Sequence, residues 1–138
     1  TVADAEGEII RGTEVVEYPA DQDTLTKRYT EEAVKFIRAN QTTPFFVYLP
    51  ANLIHTPLQV QPELAAAYDN LDLGTNTAKV YGMVRSVDNN FGRLRAALKE
   101  LGIEDNTLLI FTSDNGPCSG SKPAENRFLA GPLESDGQ

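Results

Sequence analysis

The chain has 138 residues, 41% hydrophobic and 23% charged, ordinary values for one globular domain with a buried core. Its 12 Lys and Arg stand against 20 Asp and Glu, and a net charge of −8 lacks the basic face that a nucleic-acid backbone requires. The single cysteine, Cys118, excludes an intrachain disulfide and a multi-cysteine zinc site, and no apolar run approaches a membrane span. Thr1-Val2-Ala3-Asp4 is no signal peptide, so the expected start is mature, trimmed or internal to something longer.

In chain order, Gly7 to Tyr18 is a short β-like stretch broken by glycines and charges, which predicts a peripheral hairpin or edge strand. Asp23 or Thr24 then offers an N-cap to a helix over Leu25 to Ala39. Leu25, Tyr29, Ala33, Phe36 and Ile37 share one face of it at helical spacing. After the loop Asn40 to Pro44, Phe45-Phe46-Val47-Tyr48-Leu49 reads as a buried strand, followed by the turn-rich Pro50 to Leu58. A short helix is expected over Glu63–Leu71, with Pro62 at its start.

From Thr75 to Leu101, Val80, Met83, Val84, Val87, Phe91, Leu94, Leu98 and Leu101 recur at three- and four-residue steps, and Gly102 follows as the C-terminal stop. Leu108-Leu109-Ile110-Phe111 is apolar without alternation, so it predicts a strand buried on both faces that ends at Thr112-Ser113-Asp114-Asn115-Gly116-Pro117. Strand, long helix and strand make one right-handed βαβ crossover, and the whole reads as α/β. Pro117 to Gln138 lacks periodicity and is expected to be a long loop or partly ordered tail.

Chemistry gathers at the carboxyl ends of the two apolar runs, where open α/β sheets place ligands. Asp114 and Asn115 both offer hard oxygen, suited to Ca²⁺ or Mg²⁺. On spacing alone an Asx-turn that binds nothing comes first, because Asp-Asn-Gly is common turn chemistry. His55, the only histidine, lies in the loop after the first run. It reads equally as a hydrogen-bond donor or acid beside an anionic group, or as a loop histidine satisfied by backbone. If the runs are parallel neighbours, His55 can approach Asp114 and Asn115.

Cys118 reads as an incidental loop cysteine rather than a nucleophile, since His55 would be its only base. Lys122 can meet an anion in the same loop region, although loop lysines are more often simply solvated. Asp88-Asn89-Asn90 reads as the polar face of the long helix, and there is no glycine-rich phosphate loop or Gly-x-Ser-x-Gly elbow.

Three segments together resemble a known family. Phe45 to Leu58 looks like a strand leading to a His-x-Pro loop, here His55-Thr56-Pro57. Tyr81 to Asp88 with Gly92-Arg93-Leu94 looks like the helix before a second metal motif, and Leu108 to Pro117 looks like that Thr-Ser-Asp-Asn-Gly motif. The resemblance, over roughly Thr24 to Pro117, is to type I (arylsulfatase-like) sulfatases of the alkaline-phosphatase superfamily. It implies a partial mixed or parallel sheet flanked by helices. It also implies hydrolysis of sulfate esters by a formylglycine made from a Cys/Ser-x-Pro-x-Arg motif, whose hydrate attacks sulfur. A divalent cation, usually calcium, with magnesium as the other choice, would hold nucleophile and sulfate oxygens.

By motif match Asp114 and Asn115 would be metal ligands and His55 a sulfate contact, with Lys122 a weaker candidate. The implied partner is a sulfated small molecule or glycan, and the implied location is periplasmic, secreted or lysosomal.

The departures define the rest of the expectation. Cys118 is followed by Ser119-Gly120-Ser121 and is not the nucleophile, the family's early Asp-Asp metal pair has no counterpart, and Lys122 lacks an Arg-Gly-x-Lys context. The chain therefore reads as an internal part of a sulfatase catalytic domain, with 1–23 peripheral, 24–116 the α/β core and 117–138 loop or tail. It holds half of one active site, and no sulfatase activity is expected of the chain as given. A phosphoesterase or phosphonate hydrolase of the same superfamily, or a non-catalytic binding domain of the same fold, are the alternatives. Exposed edges of a cut sheet would favour a homodimer.

Overall fold

A computed structural model describes residues 7–72 and 74–115. The chain falls into two units, Thr1–Asp105 and Asn106–Gln138. The first begins with an antiparallel hairpin of β1 (Ile9–Arg11) and β2 (Glu14–Glu17). Arg11 pairs with Glu14, so Gly12 and Thr13 form a two-residue loop with Gly12 at φ +64, the position that favours glycine in such turns. Ile10 faces Val15 while Ile9 faces Glu17, so Val16 is an extra residue that bulges the strand. The expected peripheral hairpin is present.

A 3-10 turn at Gln22–Thr24 leads into α1 (Leu25–Asn40). Thr24 takes the expected N-cap position, without a side-chain cap bond to the helix. Asp21 caps the 3-10 turn instead, accepting from the Asp23 amide at 3.1 Å, while the Thr24 hydroxyl donates to the Asp21 carbonyl at 3.0 Å. The helix buries Leu25, Thr26, Thr30, Ala33 and Ile37. Phe36 stays exposed and meets the Phe45 ring edge-on, with centroids 6.5 Å apart. The short helix is split into α2 (Pro62–Ala66), with proline in its first turn, and a 3-10 turn at Asp69–Leu71.

The long helix α3 covers Thr75–Glu100, and its end is a Schellman motif. The Ile103 amide donates to Leu98 O and the Gly102 amide to Lys99 O, both at 3.0 Å, with Gly102 at φ +68. Its buried residues are Ala78, Gly82, Met83, Ser86, Asn90, Ala97 and Leu98; of the expected stripe Met83 and Leu98 are buried, whereas Val84 is exposed. Small residues win these positions because α2 closes in. A Cβ on Gly82 would stand 2.9 Å from Ala65 N and 3.0 Å from Leu64 C, both backbone atoms. Asn90, expected on a polar face, is buried and donates to Ser86 O at 2.8 Å.

Helices α1 and α3 run side by side in the same direction. Glu31 pairs with Arg93 at 3.2 Å, and Arg38 grips Glu100 with two bonds of 3.1 and 2.6 Å. Each pair is separated by 62 residues, the constant register of two parallel helices.

The two apolar runs differ from expectation. Neither 45–49 nor 108–112 forms a strand among the described residues, where the only sheet is the hairpin. Phe46 and Tyr48 are 85% and 78% exposed, and Leu108 and Ile110 are 86% and 74% exposed. A strand exists only through ladder bonds to a neighbour, and these runs have none within the described residues. The βαβ crossover is therefore not formed among the described residues, and Phe36 and Val84 are exposed.

Ion pairs tie the hairpin to α1: Arg11 to Glu32 at 2.8 Å and Arg28 to Glu17 at 2.7 Å. Hydrogen bonds from Arg11 and then Lys35 hold the Glu32 carboxyl down from 4.5 to about 2, and Arg28 lowers that of Glu17. A carboxyl depressed on folding contributes stability above its unfolded pKa and loses it as pH falls toward the folded value. Amide resonances of residues 9–17 should therefore shift between pH 4.5 and about 2, ahead of those in α3. Hairpin signals that hold until the helices unfold would contradict this docking.

Candidate functional site

In the second unit, extended residues 108–112 lead to a bend at Asp114 and Asn115. The Ser113 hydroxyl donates to the Asn115 carbonyl at 2.6 Å and the Thr112 hydroxyl to the Ser113 carbonyl at 3.2 Å, so local side chains shape the turn. Both residues are exposed, and the Asp114 carboxylate makes no hydrogen bond or ion pair with any described residue. A carboxylate and an amide oxygen suit a hard divalent ion, but such ions take roughly six or more oxygens. Among the described residues no group of three or more His, Cys, Asp and Glu could complete a shell. The donor chemistry fits a metal, and the donor count supplies part of a site.

His55 belongs to the first unit, exposed in the loop after 45–49. Its Nδ1 lies 2.6 Å from the Thr56 carbonyl. A carbonyl only accepts, so Nδ1 carries the proton and donates, which assigns the tautomer and leaves Nε2 for another partner. The backbone contact thus accounts for Nδ1. Cys118 and Lys122 lie outside the described residues.

The sequence pattern did not single out Thr26 or Asn52. Thr26, 7% exposed on α1, donates from its hydroxyl to Asn52 Oδ1 at 3.3 Å, and Val60 is buried at the far end of the same loop. The His55 loop is thereby held at both ends against the first unit. Two threonines, Thr26 and Thr30, on the buried face of α1 were the available signal. Thr26→Val keeps the shape and removes the donor, so it should cost about 0.5–1.5 kcal/mol in urea unfolding. An unchanged midpoint would mean that the bond holds nothing.

A family model described as Sulfatase matches residues 6–137. The chain is 35% identical over 116 residues to the N-acetylgalactosamine-6-sulfatase of Mus musculus, covering 79% of this chain and 21% of that protein. It is also 35% identical over 109 residues to the steryl-sulfatase of Homo sapiens, covering 78% and 17%. Among solved structures, that of Ps i-CgsB in complex with k-i-k-neocarrahexaose is 37% identical, with a TM-score of 0.58, over 69% of this chain and 20% of that chain. The fold is thus part of the α/β, alkaline-phosphatase-like architecture. The chain belongs to the sulfatase family. It spans about a fifth of the length of the curated relatives it matches.

Proposed function

We propose that this chain is an internal part of an enzyme that hydrolyses sulfate esters, with Asp114 and Asn115 as two ligands of a divalent cation and His55 as a sulfate contact. The observation that carries the reading is the family match through residues 6–137, which includes both loops. Calcium is the first choice of ion and magnesium the second, because both donors are hard oxygens. The bound ion would supply positive charge beside the transferring group. The formylglycine nucleophile would come from outside these 138 residues, which contain no Cys/Ser-x-Pro-x-Arg motif.

The chain's own residues have separate tasks. The anionic Asp114 carboxylate anchors the ion electrostatically and Asn115 adds a neutral oxygen, so the pair holds the cation without cancelling its charge. The Thr56 carbonyl keeps the proton on His55 Nδ1. Nε2 then accepts a hydrogen bond when the ring is neutral and donates one to a sulfate oxygen when it is protonated. Lys122 adds a candidate cation for the same anion. Substrates are sulfated small molecules or glycans, as the names of the N-acetylgalactosamine and steryl relatives suggest.

The test is an assay of the longer sulfatase containing this chain with 4-nitrophenyl sulfate. Hydrolysis that a chelator abolishes and calcium restores is expected. Hydrolysis indifferent to the chelator, or none at any calcium concentration, would overturn the reading.

A further inference from the structure

The buried face of α1 carries two threonines, Thr26 and Thr30, 7% and 2% exposed. A hydroxyl taken out of water needs a partner, and these two find theirs differently. Thr30 stands a turn further into the helix and donates back to the Thr26 carbonyl at 2.9 Å. Thr26 is the second residue of α1, so the residue four places before it, Gln22, lies outside that helix. Its hydroxyl turns outward instead, to Asn52 Oδ1 at 3.3 Å. Thr30 is satisfied within α1, whereas Thr26 takes its partner from the loop.

Asn52 precedes His55 by three residues, a span of at most about 11 Å of chain. Residues 45–60 form neither helix nor strand, and Asn52, His55 and Thr56 are exposed. Among the described residues, the Thr26–Asn52 bond is the one hydrogen bond that joins this loop to α1. The contact of His55 Nδ1 with the Thr56 carbonyl sets the ring against its own backbone, not against the rest of the unit. The place of the imidazole therefore follows from where that backbone is held: by Thr26 before it and by buried Val60 after it. Thr26 is β-branched, buried and on a helix, so its hydroxyl is the fixed point of the pair.

Resting on the reading of His55 as a sulfate contact, we infer that Thr26 is a positioning residue for the reaction: through Asn52 it fixes the loop that carries the imidazole. Its effect reaches the chemistry because a displacement of 1 Å at a reacting group can cost about 10²-fold in rate.

The test is steady-state kinetics of the sulfatase containing this chain on 4-nitrophenyl sulfate, at a temperature where circular dichroism shows each variant folded. Thr26→Val, which removes the donor, and Asn52→Ala, which removes the acceptor from an exposed position, should each lower kcat roughly tenfold. Thr26→Ser keeps the hydroxyl and should stay within about threefold of the unaltered enzyme. In a His55→Ala background neither change should lower kcat by more than about twofold further, since the ring they position is gone. If Thr26→Val does not fold, Asn52→Ala decides alone. A purely structural role leaves kcat of the folded variants unchanged, or lowers it by the same factor with and without His55. Either result overturns the inference. His55→Ala by itself separates the two levels. If it lowers kcat and the loop variants do not, the positioning role falls and the sulfate contact stands. If it leaves kcat unchanged, the sulfate contact falls and the positioning role with it.

Discussion

Replacing His55 by alanine in the sulfatase that contains this chain lowers kcat on an aryl sulfate by roughly 10²–10³-fold, the usual loss when one fixed donor to a developing anion is removed. His55 is the chain's only histidine, and its Nδ1 is already committed to the Thr56 carbonyl at 2.6 Å. That bond spends one nitrogen on orienting the ring and leaves Nε2 as the working atom. Negative charge builds on the leaving ester oxygen as the S–O bond breaks, so a donor to that oxygen is worth more in the transition state than in the ground state. The loss should fall mainly on kcat, and His55→Gln, whose side-chain amide supplies an N–H donor, should recover part of it. A kcat within about threefold of the unaltered enzyme would remove His55 from the site.

The largest stability effect is expected at Met83→Ala. Met83 is 1% exposed, one of the two most completely buried side chains, on the stripe of α3 that also carries Gly82 and Ser86. The helices there are already as close as backbone allows at Gly82 and Ala65, so they cannot close further over the space left behind. The cost should be about 2–5 kcal/mol in urea unfolding of the 138-residue chain, a large share of a total near 5–15 kcal/mol. A loss under about 1 kcal/mol would mean that the stripe is not the core of the first unit.

Local elements were legible where local physics decides them. The hairpin, α1 and α3 were readable from turn glycines and helical spacing, and Gly102 stops α3 as its position suggested. The buried face of α3 was legible only at Met83 and Leu98, because apolar character is not burial. Ala78, Gly82 and Ser86 are inside since α2 approaches them, which no single-helix pattern records. The runs at 45–49 and 108–112 carry the composition of buried strands, yet strand formation depends on partners distant in sequence. Asp114, Asn115 and His55 were singled out because each sits in a short motif, and the roles proposed for them rest on that motif. The Thr26–Asn52 bond spans 26 residues and appears only once α1 and the loop are folded together.

The most direct test of the account is calcium titration by calorimetry of the metal-free sulfatase containing this chain, beside its Asp114→Ala variant. The account predicts that the unaltered enzyme binds calcium and regains activity on 4-nitrophenyl sulfate. The variant should need at least about tenfold more calcium, or fail to recover, since it lacks one anionic ligand. Identical binding and equal activity in the two proteins would contradict the assignment of Asp114 as a metal ligand, and with it the site proposed for this chain.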